Sequence, residues 1–163
     1  MAELTNLETK LGEVLGLAMA AQGATDKVKK LDDLDGELDQ VLDRMNDEAK
    51  QAEERATEVA GTFEGKRTAI LEEAREVKQK ANEMMRDYLD QSADALDGFE
   101  FLTMAEAGEV GHWEILATLN ERARNGGVQE LVEWGIPIQQ RHFEQVRQGS
   151  LKLAAEEDPN ETE

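Results

Sequence analysis

Residues 36–62, GELDQVLDRMNDEAKQAEERATEVAGT, decide the fold class. Leu38, Leu42, Met45, Ala49, Ala52, Ala56 and Val59, continued by Phe63, recur at alternating spacings of four and three. That mean spacing of ~3.5 residues puts them on one stripe of an α-helix. The repeat also runs through Leu4, Leu7, Leu11, Val14, Ala18, Ala21, Thr25 and Val28 before it, and through Ile70, Ala74, Val77, Ala81, Met84, Tyr88, Gln91 and Ala95 after it. Held over three segments, it predicts long antiparallel helices crossing at a shallow left-handed angle, with small seam residues permitting close approach. Gln91, on the third stripe, is therefore expected to be at least partly buried and hydrogen-bonded.

Helix-stop signals divide the chain. Asp32-Asp33-Leu34-Asp35-Gly36, Gly61 to Gly65, Asp97-Gly98 and Asn125-Gly126-Gly127 concentrate residues that tolerate turns and left-handed backbone. Five helical segments follow, at about 4–31, 36–62, 66–95, 99–124 and 128–154, and Thr5-x-x-Glu8 opens the first as a capping box. The expected architecture is all-α: one helical-bundle domain over 1–155, built of four to five long antiparallel helices, followed by a disordered acidic tail over 156–163.

Composition agrees and removes whole classes of function. The chain has 163 residues, 34% of them charged, with four Phe, two Trp, one Tyr and two Pro, so its interior rests on aliphatic residues and Ala. A turn-rich β-sandwich is disfavoured. Thirty-seven acidic against eighteen basic residues give a net charge of −19, a field that repels nucleic-acid phosphates and anionic lipid surfaces and suits cations or a high-salt habitat. The absence of cysteine excludes disulfides, thiolate catalysis, Cys-ligated zinc and iron–sulfur clusters, leaving carboxylate, amide and imidazole as metal ligands. No stretch is apolar over the ~20 residues a membrane span needs, and the N-terminus carries no signal-peptide pattern, so a cytoplasmic location is expected. Neither a phosphate-binding Gly-rich loop nor a dinucleotide fingerprint occurs, and no Ser–His pair has a suggestive context.

The last two segments differ from the first three. The fourth stripe reads Leu102, Ala105, Glu109, His112, Leu116, Leu119, Ala123, and the fifth reads Val128, Val132, Gly135, Gln139, His142, Val146, Gly149, Leu153. Each interrupts an apolar seam with two polar groups three residues apart, a spacing that puts both on one helix face. Counted from Gly126, Glu109 lies 17 residues back and His142 16 forward, and His112 lies 14 back and Gln139 13 forward. In an antiparallel hairpin, Glu109 thus faces His142 and His112 faces Gln139, within about one residue rise of ~1.5 Å. Three readings fit this layer: a metal site formed by Glu109, His112, Gln139 and His142, two buried hydrogen-bonded pairs that set helix register, or a solvated helix face. Met45, Met84, Met85 and Tyr88 read as core filler, Trp113 and Trp134 as packing anchors, and Pro137 as a kink one turn before His142.

Glu109-Val110-Gly111-His112 and Gln139-Gln140-Arg141-His142 resemble the Glu-x-x-His motifs of the ferritin-like superfamily of di-iron carboxylate bundles. Residues 106–119 together with 131–153 are similar to the last two helices of small bacterial stress-associated ferritin-like proteins, and the resemblance covers about 99–154. It implies a ferritin-like bundle binding iron or manganese, zinc not being excluded, with a role in metal handling or oxidative-stress protection. The chain departs from that pattern in three respects. Gln139 stands where the family has a glutamate, Glu13, Glu48 and Glu53 lie off their seams, and a long third segment precedes the motif pair. The alternative expectation is a metal-free structural or protein-interaction bundle, forming a homodimer or pairing with another protein through its helical seams. Catalytic residues are not identifiable from the sequence.

Overall fold

The computed structural model describes residues 2–162; Met1 and Glu163, the outer ends of the expected domain and tail, lie outside them. The helices are α1 (Asn6–Lys29), α2 (Gly36–Gly61), α3 (Arg67–Tyr88), α4 (Ala95–Ala123) and α5 (Gly126–Ala155). Among the described residues there is no strand, and no helix is long and apolar enough to cross a membrane.

Local chemistry explains the boundaries. Thr5 and Glu8 form the expected capping box, with Glu8 N–H donating to the Thr5 hydroxyl at 3.2 Å and Thr5 N–H to the Glu8 carboxylate at 2.8 Å. Asp35 and Asn125 cap α2 and α5 by accepting from Leu38 N–H and Val128 N–H. The expected break at Asp97-Gly98 does not occur. Asp94 and Asp97 cap each other's backbone N–H in a second capping box, which makes Asp94 the N-cap and puts Asp97 in the first turn of α4. Gly98 lies inside the helix and serves close packing, since a Cβ there would lie 2.8–2.9 Å from Leu31 and Val28. The third helix ends at Tyr88, and Gln91 lies in the connecting loop, exposed, contrary to expectation. The 3.5-residue repeat continued past the point where the helix itself stops.

Side-chain pairings fix the helix directions. Thr25 meets Asn46 and Lys29 meets Asp43, so α1 and α2 run antiparallel. Gly149 packs on Phe99 and Gly135 on Trp113, which sets α4 and α5 antiparallel. Lys10 reaches His112 across α1 and α4, and Glu48 reaches His142 across α2 and α5. Four helices therefore enclose the core, and α3 lies outside, running parallel to α1. It seats Ile70 and Ala74 against Gly12 and Gly16, where a Cβ at Gly16 would come 2.4 Å from the Ala74 carbonyl oxygen. α3 carries the chain from α2 to the diagonally placed α4.

The interior has two apolar clusters. One gathers Leu11, Leu15, Ala52, Ala56, Trp113, Leu116 and Val132; the other gathers Val28, Leu42, Met45, Phe99, Leu102 and Val146. Between them, in chain order on each helix, lie Glu48 of α2, Glu106 and Glu109 of α4, and Gln139 and His142 of α5. The polar layer divides the bundle at mid-height.

Candidate functional site

The α5 side of the layer is built as its stripe predicts, since every position from Val128 to Leu153 on that stripe is buried. Pro137 sits within α5 on its exposed side without ending the helix. The α4 side is rotated by about one residue from the expected stripe. Its buried face runs Phe99, Leu102, Glu106, Glu109, Trp113, Leu116, Asn120. Trp113 rather than His112 enters the core because an indole offers far more apolar surface to bury. Gly135 makes that possible, as a Cβ there would lie 2.2 Å from the Trp113 ring.

Of the four residues expected to form the layer, Glu109, Gln139 and His142 are buried. His112 is not with them. Its side chain is 39% exposed and turned to α1, where Lys10 Nζ donates to Nδ1 at 3.2 Å and the Glu13 carboxylate lies 3.3 Å away. The expected pairings Glu109–His142 and His112–Gln139 are thus replaced by others. Two carboxylates that the sequence reading left out, Glu48 and Glu106, take the contacts with His142. Glu106 falls one turn before Glu109 and on the true buried stripe, a signal legible once Trp113 is placed inside. Glu48 flanks the α2 seam next to Ala49 and enters by the reach of its side chain.

The layer forms a graded chain of charge. Arg141 grips the Glu48 carboxylate through its guanidinium. Burial pushes that carboxyl up, yet Arg141 and His142 together hold it below its ordinary value, so it is ionised. His142 Nε2 lies 3.3 Å from Glu48. Burial lowers the imidazole pKa against the pull of Glu48, so at neutral pH the ring is neutral and donates its Nε2 proton to Glu48. Nδ1 is then an acceptor facing Glu106 Oε2 at 3.9 Å, beyond hydrogen-bond reach.

Glu106 and Glu109 are the unusual pair. Both are buried, one helical turn apart, with no cation beside them. Burial first, and the neighbouring Glu109 charge second, raise the Glu106 pKa well above the ordinary carboxylate range. Burial pushes Glu109 up to about 7, opposed by the nearby Trp113 indole and by Glu106. Such a pair holds a proton where an exposed pair holds none. Glu106 Oε2, Glu109 Oε1 and Gln139 Oε1 have no hydrogen-bond partner, nor does the Trp113 indole nitrogen. Each orphaned group of this kind costs about 1–3 kcal/mol.

These orphaned acceptors are hard oxygen donors in the same layer as an imidazole, ligand types that suit iron, manganese or zinc. As placed, among the described residues no three histidine and acidic side chains are arranged to hold one ion. As it stands, burial favours the protonated forms of Glu106 and Glu109, while His142 is hydrogen-bonded to an ionised Glu48. No protein-family model matches this chain, and no curated protein or solved structure is significantly similar to it.

Proposed function

We propose that this protein is a ferritin-like bundle that binds a divalent iron or manganese ion in its mid-height layer, serving metal handling or protection against oxidative stress. The observation that carries the reading is the set of buried acceptors Glu106 Oε2, Glu109 Oε1 and Gln139 Oε1, left without donors in one layer, with Glu106 Oε2 3.9 Å from His142 Nδ1. A cation satisfies such groups at once and, by favouring the ionised carboxylates, offsets the burial that raises their pKa values. The helix order supports the same reading, because ferritin-like bundles have one long crossover and α3 carries the chain between α2 and α4. A bound ion of this class supplies redox or Lewis-acid chemistry. Glu106, Glu109 and His142 are the residues to hold it, with Gln139 beside them. Glu48 and Arg141 position the imidazole from behind, and His112, drawn to Lys10 and Glu13, is outside the set.

Elemental analysis of the purified protein, before and after reconstitution with Fe(II) or Mn(II), tests the proposal. Stoichiometric metal is expected in the wild type and in His112→Ala, and loss of it in Glu106→Gln/Glu109→Gln and in His142→Ala. A folded wild type that takes up neither ion overturns it. A second reading, a metal-free bundle acting through protein contacts, draws on a separate observation: Met84, Tyr88, Met104, Ile115 and Leu151 are exposed. That reading predicts a homodimer or hetero-complex in light scattering, unchanged by the layer substitutions.

A further inference from the structure

The C-terminal half of α3 stands off α4. The two helices meet there through Tyr88 and Phe101, whose ring centroids are 5.9 Å apart. Beside Phe101 lies a narrow cleft of two adjoining lobes, ≈ 50 and ≈ 220 Å³, with room for one slender chain. Leu17, Ala81 and Phe101 wall both lobes, and Met84 and Met104 stand half-exposed at the mouth. Glu109, 5% exposed, borders both lobes from the interior, and its Oε1 has no partner. An apolar cleft ending on an unpartnered buried carboxyl is complementary to a molecule with an apolar body and one cationic end.

We propose that the cleft between α3 and α4 binds an apolar organic cation, an alkyl- or aryl-ammonium, with its head on the Glu109 carboxylate and its body along Leu17, Phe101 and the two methionines. An anionic head would meet Glu106 and Glu109 and the field of a chain with net charge −19. A neutral chain would leave the orphaned oxygen unpaired. The ammonium removes that deficit with a charge-assisted hydrogen bond at the inner wall of an apolar cleft. Phe101 adds an aromatic face, and Met84 and Met104 flexible thioethers that fit chains of differing shape. Lys10 lies with His112 beyond Glu109 and is tied to Glu13, so it does not occupy the carboxyl. The inference stands apart from the metal reading, although both draw on Glu109.

Calorimetric titration of chelator-treated protein with n-octylammonium, n-octanol and n-octanoate tests it. Octylammonium is expected to bind at least about tenfold more tightly than octanol, with no binding of octanoate. Glu109→Gln should reduce octylammonium to the affinity of the alcohol, and Ala81→Leu, which fills the wall shared by both lobes, should weaken both ligands while the circular dichroism stays helical. Equal affinity for ammonium and alcohol in the wild type, undiminished ammonium binding in Glu109→Gln, or no ammonium binding overturns the proposal. Ammonium binding by a protein that takes up no metal removes only the metal reading; metal uptake without ammonium binding removes only this one.

Discussion

Helices α4 and α5 carry almost the same local pattern, Glu109-x-x-His112 and Gln139-x-x-His142, yet their histidines occupy different worlds. The His142 side chain is 3% exposed and lies between two carboxylates in the core, whereas His112 is 39% exposed and pairs with α1 at the rim. On α5 every residue of the expected stripe is buried; on α4 only Leu102, Glu109 and Leu116 are. α5 has a single stripe that fits, with Gly135 and Gly149 leaving room where Trp113 and Phe99 press in. α4 has apolar residues on more than one face, and its largest side chain decided the rotation. Polar spacing names a pair of neighbours on a helix, but bulk decides which member faces inward.

The largest way to break this contrast is to remove the bulk. Trp113→Ala should destabilise the bundle by about 3–5 kcal/mol, the range for deleting a buried aromatic, read as a shifted urea midpoint. Gly135→Ala should cost less alone, and the cost should shrink in a Trp113→Leu background, because both act on one contact. Additive costs would show that Trp113 does not set the rotation of α4.

Next in size is the pH response of the layer. Glu106 and Glu109 keep protons in the folded state that the unfolded chain releases above its ordinary carboxyl range, near 4.5. Their contribution to stability is therefore full at low pH and is lost as pH rises through about 7 and beyond, on the order of 3 kcal/mol for Glu109. Glu48 and His142 have the opposite sign, since both have lowered folded pKa values and favour folding less as pH falls. Metal-free protein should therefore melt at a lower temperature at pH 8.5 than at pH 6, and Glu106→Gln/Glu109→Gln should flatten that slope. A flat wild-type profile would mean that the pair is solvated in solution.

The two histidines themselves give the smallest and most direct comparison. His142→Ala should cost about 2 kcal/mol, from the buried cavity and the hydrogen bond lost by Glu48, which keeps Arg141. His112→Ala should fall within ~0.5 kcal/mol of wild type, as rim substitutions do. Equal costs, measured by chemical denaturation, would erase the distinction between core and rim.

The candidate site was partly legible. Glu109, Gln139 and His142 stand out as polar breaks in apolar seams, and all three are buried. Glu106 was hidden by assigning Ala105 to the stripe, an error of one residue and so of about 100° around a helix. Glu48 was hidden because it flanks its seam, and only the neighbouring α5 shows that a flanking carboxylate turns inward to meet Arg141 and His142. The third stripe misled at its end, where Met84 and Tyr88 are exposed and Gln91 has left the helix.

The sequence by itself determined that the fold is all-α, where four of the five described helices begin and end to within a few residues, and which faces of α2 and α5 are buried. Those properties follow from period, capping chemistry and turn residues, which act over a few positions along one chain. Tertiary structure alone decided the rotation of α4, the separation of the two histidines, the entry of Glu48 and the stand-off between α3 and α4. Each depends on how volume is shared between helices: an indole fits only where Gly135 yields space, and a carboxyl enters the core only where a partner or a proton offsets the loss of water.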